Sequence, residues 1–243
     1  MSLPTVDELP GFRRRFRVTP RPGAVCAELE DDFHCMSVTL DHQDDVITGV
    51  RADQDRAPWT TCPGAIAQLI RSFGGAAFGD LPRSPDVKQI NCTHLYDLAL
   101  LAAAHAHDAK PFTYDVLVSD PAAQRRIIEL RRDGESVMQW IEDDDLLTAP
   151  AEVAGLTLFD MNDWIKGLRP ERQEYARILR WAARIAHGRL IPLAQQSDAS
   201  KLPLTCYSFQ PHIRPSARRV GEIRDFSTGS ARPLDRRPAS DLL

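Results

Sequence analysis

Residues 25–42 read VCAELEDDFHCMSVTLDH, and the period of this stretch decides which class of fold the chain can adopt. In its second half, Met36, Val38 and Leu40 fall on one side of an extended chain, the two-residue period of a strand with one face on a core. Working back, VCAELEDDF is a second extended segment, entered through a turn over Pro20 to Gly23. Before it, FRRRFRV at 12–18 alternates apolar and basic residues, so Arg13, Arg15 and Arg17 are expected on a solvated face. Working forward, Asp44 and Asp45 form the next turn and VITGVRA supplies another strand. The first fifty residues are therefore expected to form an antiparallel meander with short connections.

The period changes at Cys62. Pro63 suits the first position of a helix, where its missing N–H has no partner to lose, and Ile66, Leu69, Ile70 and Phe73 then recur at helical spacing until Gly74. After a loop rich in Gly, Pro and Asp, CTHLYDLALLAAAHAHD opens a second helix with Leu95, Leu98, Ala99 and Ala102 on one face and Asn91 or Thr93 as its cap. FTYDVLVSD, RRIIELRR and ESVMQWIE read as three further strands, the last two joined by a tight turn at Asp133 and Gly134. From Asp160 to His187 a helix is expected, broken near Gly167 and Pro170, with Tyr175, Ile178, Leu179, Ala182 and Ile185 as its apolar stripe. Beyond about Pro192 the composition turns to Pro, Ser, Arg and Gln, which predicts an extended or disordered tail. The expected fold is α+β: an antiparallel sheet with helices packed on one face. One domain is expected over 1–191, with a core at 12–108, added strands and a long helix at 109–191, and the tail at 192–243.

A chain of 243 residues that is 43% hydrophobic can bury one substantial core. A net charge of −4 supplies no domain-wide positive field for phosphate backbones, so nucleic acid is not an expected partner. No apolar run approaches the roughly 20 residues of a membrane-spanning helix, and MSLPTVDELPGFRRRF lacks the apolar stretch of a signal peptide. A cytoplasmic location is expected. Five cysteines, an odd number, then point to reduced thiols rather than a disulfide framework.

Cys62 and Cys92 each open an apolar helix, where unpaired N–H groups favour a thiolate, so either is a candidate nucleophile or ligand. The competing reading is a buried thiol acting as apolar filler. His94 stands on the first turn after Cys92, and Asp97, one turn on, is placed to orient its ring or to form a surface pair with it. His105 and His107 at the far end of that helix suit its dipole and are expected to be structural. If ELEDDFH is extended, Glu30, Asp32 and His34 point to one face while Asp31 and Phe33 point to the other, presenting an acid and an imidazole together. Arg56 is a candidate clamp for a carboxylate or phenolate, and Phe33, Trp59 and Tyr96 are candidate walls for a ring. No Walker loop, dinucleotide GxGxxG, GxSxG elbow, HExxH or CxxC pair occurs.

The blocks FRRRFRV, ELEDDFH, RAPWTTCPGA, CTHLYDLALLA and CYSFQP resemble those of the bacterial family called domain of unknown function 2889, across nearly the whole chain. That resemblance implies a link with the breakdown of small aromatic compounds. The N-terminal half is also similar, more distantly, to NifU-type iron-sulfur scaffold proteins, with VKQINCTHLYDLALLAAA as the nearest match. In that comparison Cys62 and Cys92 fall on two scaffold cysteines and Asp32 on the scaffold aspartate, while Glu30 and Asn91 replace its first cysteine and a histidine.

Two main expectations follow. One is a lyase acting on a small hydroxylated, lignin-like substrate, for example by releasing formaldehyde. His34 or His94 is then the base, Asp32 and Asp97 position the imidazoles, and Cys62 or Cys92 moves a proton. The other is a metal, iron-sulfur or sulfur carrier using Asp32, Cys62, Cys92 and His94, for which zinc is the suitable ion. A binding protein for small aromatic acids is a third. No cofactor is required by the first reading, and a small molecule and a second copy of the chain are the expected partners.

Overall fold

A computed structural model describes residues 6–220 and 222–237 of the chain, which divide between two compact units. The described part of one consists of residues 6–15, 113–191 and 225–233; that of the other consists of 16–112, 192–220, 222–224 and 234–237. Strand β1 (Gly11–Arg21) contributes to both. The architecture is α+β, with an eight-stranded sheet in the order β4-β3-β2-β1-β5-β6-β7-β8.

The apolar side of β1 is as the alternation requires, with Phe12, Phe16 and Val18 buried. Its basic side is not a solvated face. Arg13 is buried and donates to the Val6 and Leu9 carbonyls, Arg15 grips Asp115, and Arg17 grips Glu28. Arg14, on the apolar side, is also buried, its guanidinium over the rings of Phe12 and Trp181. Alternation assigns a residue to a face; it says nothing about which distant segment covers that face.

In the larger unit, β2 (Ala24–Glu30), β3 (Cys35–Gln43) and β4 (Val46–Arg56) form the expected antiparallel meander. Register pairs Val25 with Leu40, Ala27 with Val38 and Leu29 with Met36, so one face of this hairpin is wholly apolar. Cys26, Glu28 and Glu30 pair with Thr39, Ser37 and Cys35 on the opposite face. Asp44 and Asp45 both take positive φ, the two-residue turn that matches strand twist.

A 3₁₀ turn at Cys62–Gly64 leads into α1 (Ala65–Phe73), which stops at Gly74 and packs on β4. Leu69 and Phe73 are buried, but Ile70 of the expected stripe is exposed. A short helix not foreseen from the sequence, α2 (Pro85–Ile90), is capped by the Ser84 hydroxyl, which accepts from the Val87 N–H. Helix α3 (Thr93–Ala104) buries Leu95, Leu98, Ala99 and Ala102 against β2 and β3. Its N-cap is Cys92, neither Asn91 nor Thr93; the Asn91 amide donates instead to Ser72 Oγ and the Val87 carbonyl.

In the smaller unit, β5 (Phe112–Ser119), β6 (Arg125–Arg132) and β7 (Glu135–Asp143) are the three expected strands, and Asp133 and Gly134 turn at positive φ. A fourth, β8 (Leu146–Ala149), is too short to carry a legible period. Helices α4 (Asn162–Lys166) and α5 (Pro170–His187) break where Gly167 and Pro170 predict, and α5 lays Tyr175, Ile178, Leu179 and Ala182 inward. No helix among the described residues is long and apolar enough to cross a membrane.

From 192 onward the described backbone forms only short 3₁₀ turns, in keeping with its composition. It is nonetheless closely packed. Tyr207 N–H donates to the Asn91 carbonyl, and its hydroxyl fits where Gly64 has no side chain: a Cβ there would lie 2.6 Å from that oxygen.

Candidate functional site

The stretch expected to be a strand through His34 is instead a hairpin end: β2 stops at Glu30, β3 begins at Cys35, and residues 31–34 make the turn. The cause is local. Asp31 Oδ1 accepts the backbone N–H of Phe33 at 2.7 Å and of His34 at 2.9 Å, an Asx turn that competes with ladder bonding. The Asp31 N–H closes the loop on the His34 carbonyl. The acid that faces His34 is therefore Asp31, not Asp32: its Oδ1 lies 3.0 Å from His34 Nδ1, and the aspartate is fully buried.

His34 stacks on His94, with ring centroids 3.8 Å apart and planes inclined by 27°. The two imidazoles are brought together by the hairpin end on one side and the first turn of α3 on the other. A histidine that donates Nδ1–H to a carboxylate keeps Nε2 as its basic atom. Two imidazolium rings in contact repel, so a second proton on the pair is disfavoured.

Asp31, His34 and His94 offer ligand atoms within 4.8 Å of one another. The stacking fits a shared metal poorly. Imidazole lone pairs lie in the ring planes, and nearly parallel rings in van der Waals contact aim them side by side rather than at one point about 2.0–2.1 Å from each nitrogen. In the smaller unit Glu142, Asp145 and His187 form a second such group, but Arg126 Nη1 already takes the Glu142 oxygen that His187 uses.

Arg56 is not available as a ligand clamp. Its guanidinium donates to the Asp31 and Asp32 carbonyls and pairs with Glu30, so it holds the turn that carries His34. Asp32 is fully buried, and its carbonyl also accepts the Arg224 N–H. Asp97 places both oxygens on Lys88, at 2.6 and 2.7 Å. Tyr96 is buried against the edge of Phe73 and donates its hydroxyl to the Pro82 carbonyl, a core position rather than a wall open to a ligand. His105 and His107 pair with Asp108 and Asp45.

Cys62 lies in an apolar cluster with Trp59, Ala199 and Ala217, its sulfur 3.6 Å from Ser208 Oγ. Cys92 receives the Gln54 amide at 3.7 Å. Burial pushes all three thiols of this region up: Cys62 despite Ser208, the Trp59 backbone and the Arg219 guanidinium, Cys92 with a further push from Cys62, and Cys206 to about 11. The helix-start effect expected at Cys92 exists, in the N–H groups of Leu95 and His94, but desolvation outweighs it.

These thiols therefore remain protonated near neutral pH. In the native protein they are expected to react slowly with a maleimide, and to become reactive on denaturation. Their folded pKa values are raised, so at high pH the unfolded chain loses these protons first. Stability is accordingly expected to fall as pH rises from the ordinary thiol value of about 8.5 toward the value of about 11 reached by Cys35 and Cys206. Denaturant midpoints across that interval check the sign; a midpoint that climbs would contradict it.

One residue that sequence reading missed belongs with this group. Arg219 stands on the C-terminal segment where 218–220 pairs with 58–60, Thr60 N–H donating to the Arg218 carbonyl and Val220 N–H to the Pro58 carbonyl. Its guanidinium carbon is 5.5 Å from the Trp59 ring centre and 5.8 Å from that of Phe33, and Phe33 lies edge-on to His34. The signal available in the sequence was only a basic residue in a segment of low periodicity.

No protein-family model matches the chain, and no curated protein does. Among solved structures it is similar to one described as the crystal structure of a viral glycoprotein, at 14% identity and a TM-score of 0.21, over 73% of this chain and 57% of that one. The chain thus spans little more than half the length of that protein, and a likeness of this size carries no argument.

Proposed function

We propose that the protein is a lyase that cleaves a carbon–carbon or carbon–oxygen bond of a small hydroxylated aromatic compound, with His34 as its base. One observation carries this reading: a buried carboxylate, Asp31, fixes the ring of His34 from the Nδ1 side while His94 covers its face. Such a pair has what general-base chemistry needs, a basic nitrogen of set orientation beside a group that stabilises its protonated form.

For a primary alcohol side chain the step balances without an oxidant or reductant. His34 takes the hydroxyl proton, the adjacent carbon–carbon bond breaks, formaldehyde leaves with its new C=O bond, and the released electron pair is held by the aromatic ring until a proton is returned. His34, protonated in the first half of the step, returns that proton to the carbon, so the base is regenerated. The resemblance of the sequence blocks to a family linked with aromatic breakdown supports the choice of substrate. A screen of lignin-like and simpler phenolic alcohols, read by product mass and by trapping of released aldehyde, is expected to give formaldehyde in step with loss of the parent compound. Binding without turnover across that set would remove the lyase and leave a binding protein.

A metal or sulfur carrier, with Cys62 and Cys92 among its ligands, is the second reading. Zinc or iron found at stoichiometric level in protein purified without added metal, and lost in Cys62→Ala or Cys92→Ala, would favour the carrier.

A further inference from the structure

We infer that Arg219 is the anchor for a carboxylate on the aromatic ligand of this site. This rests on the lyase reading for the location of the site and adds to it the charge of the substrate and the residue that reads it.

Several other guanidiniums of the same unit are already engaged by protein groups. Arg17 pairs with Glu28, Arg51 with Asp41, Arg56 and Arg224 with Glu30, and Arg237 with Asp53 and Asp55. Arg214 and Arg218 donate to main-chain carbonyls. Arg219 has no carboxylate within ion-pair reach among the described residues; its side chain meets the rings of Phe33 and Trp59. It is half-buried, so part of its hydration is gone, and burial pulls its pKa below the ordinary arginine range.

A desolvated cation is costly unless something of opposite charge meets it. Two aromatic faces repay part of that cost. They leave the planar fork of N–H donors, the geometry that matches a carboxylate with two parallel hydrogen bonds. The nearest ionisable group acting on it is the Cys62 thiol, which burial keeps neutral and so supplies no anion near pH 7.

Position makes the anchor useful. Phe33 neighbours both groups, its ring centre 5.8 Å from the guanidinium carbon and 6.3 Å from the His34 ring centre. Anchor and base are thus neighbours of one aromatic ring, and the proposed ligand has its anion at Arg219 and the hydroxyl to be deprotonated at His34. The segment pairing of 218–220 with 58–60 keeps the anchor in register with Trp59.

The test is calorimetric binding of 4-hydroxybenzoate, 4-hydroxybenzamide and 4-hydroxybenzyl alcohol to the full chain and to Arg219→Gln and Arg219→Lys. The carboxylate is expected to bind more tightly than the amide of the same shape. Arg219→Gln is expected to weaken the carboxylate by about 10- to 100-fold, the worth of hydrogen bonds to a charged group, and to leave the alcohol unchanged. Arg219→Lys, which keeps the charge but not the fork, should fall between. Equal affinity of the wild type for carboxylate and amide, or an equal loss for all three probes in Arg219→Gln, would overturn the anchor. Should that variant not fold, the wild-type discrimination decides alone. Arg219-dependent binding with no aldehyde released from any compound keeps the anchor and removes the lyase; turnover of anionic substrates that is indifferent to Arg219→Gln does the reverse.

Discussion

Replacing His34 with glutamine is expected to lower turnover by roughly 10² to 10⁴, the contribution of one positioned base, while the fold and the affinity for ligand persist. Glutamine keeps an N–H that can donate to Asp31 and has no basic nitrogen, so the change removes the proton acceptor and little else. Asp31→Asn is the informative companion. Its amide oxygen can still accept from the Phe33 and His34 N–H groups that build the turn, but the charge facing Nδ1 is gone. A smaller loss is expected, with the acidic limb of the pH–rate profile displaced to lower pH, because a carboxylate favours the protonated imidazole and an amide does not. A merely structural aspartate would not move that limb. The assignment fails if His34→Gln turns over as fast as the wild type.

Glu30→Ala is expected to cost about 3–5 kcal/mol of stability, the range found when one partner of a buried ion pair is removed. The Glu30 carboxylate is buried, and three donors meet on it: Arg56 Nη2 at 2.9 Å, Arg224 Nη1 at 3.1 Å and the Leu234 N–H at 2.6 Å. Truncation takes the shared carboxylate from two guanidiniums and one backbone donor. Two of the three donors come from the C-terminal segment, so the variant should also become sensitive to proteolysis after residue 192. Arg56 would lose its anchor as well, and with it the turn that carries His34. Urea unfolding followed by circular dichroism measures the cost. A shift within about 0.5 kcal/mol, the range of an ordinary surface substitution, would show that Glu30 holds nothing.

Local chemistry was legible where it acts over a few residues. Met36, Val38 and Leu40 announced β3 because side-chain alternation is a property of the strand itself. Gly75, next to the helix stop at Gly74, Pro170 and the Asp-rich turns marked their boundaries because each sets or permits a backbone angle. The same rule explains the error at ELEDDFH. Period two continues on paper through Asp31 to His34, but the Asp31 carboxylate captures two backbone N–H groups and ends the strand there, so the acid that meets the imidazole is the one alternation assigned to the opposite face.

Read alone, the residues specified strands β1 to β7, helices α1, α3, α4 and α5, and their α+β class. What covers the polar face of β2 is a matter of packing at long range: Arg17, Arg224, Leu234 and Arg237 close over Glu28 and Glu30, three of those from about two hundred residues away. It was also the tertiary structure that spent the Arg56 guanidinium on Glu30 and the carbonyls of the turn, and set Arg219 against the rings of Phe33 and Trp59. An arginine's partners are set by which chains meet at its tip, and a side chain that long can spend its charge on a turn, a carboxylate or a ligand without any change in the local pattern that encodes it.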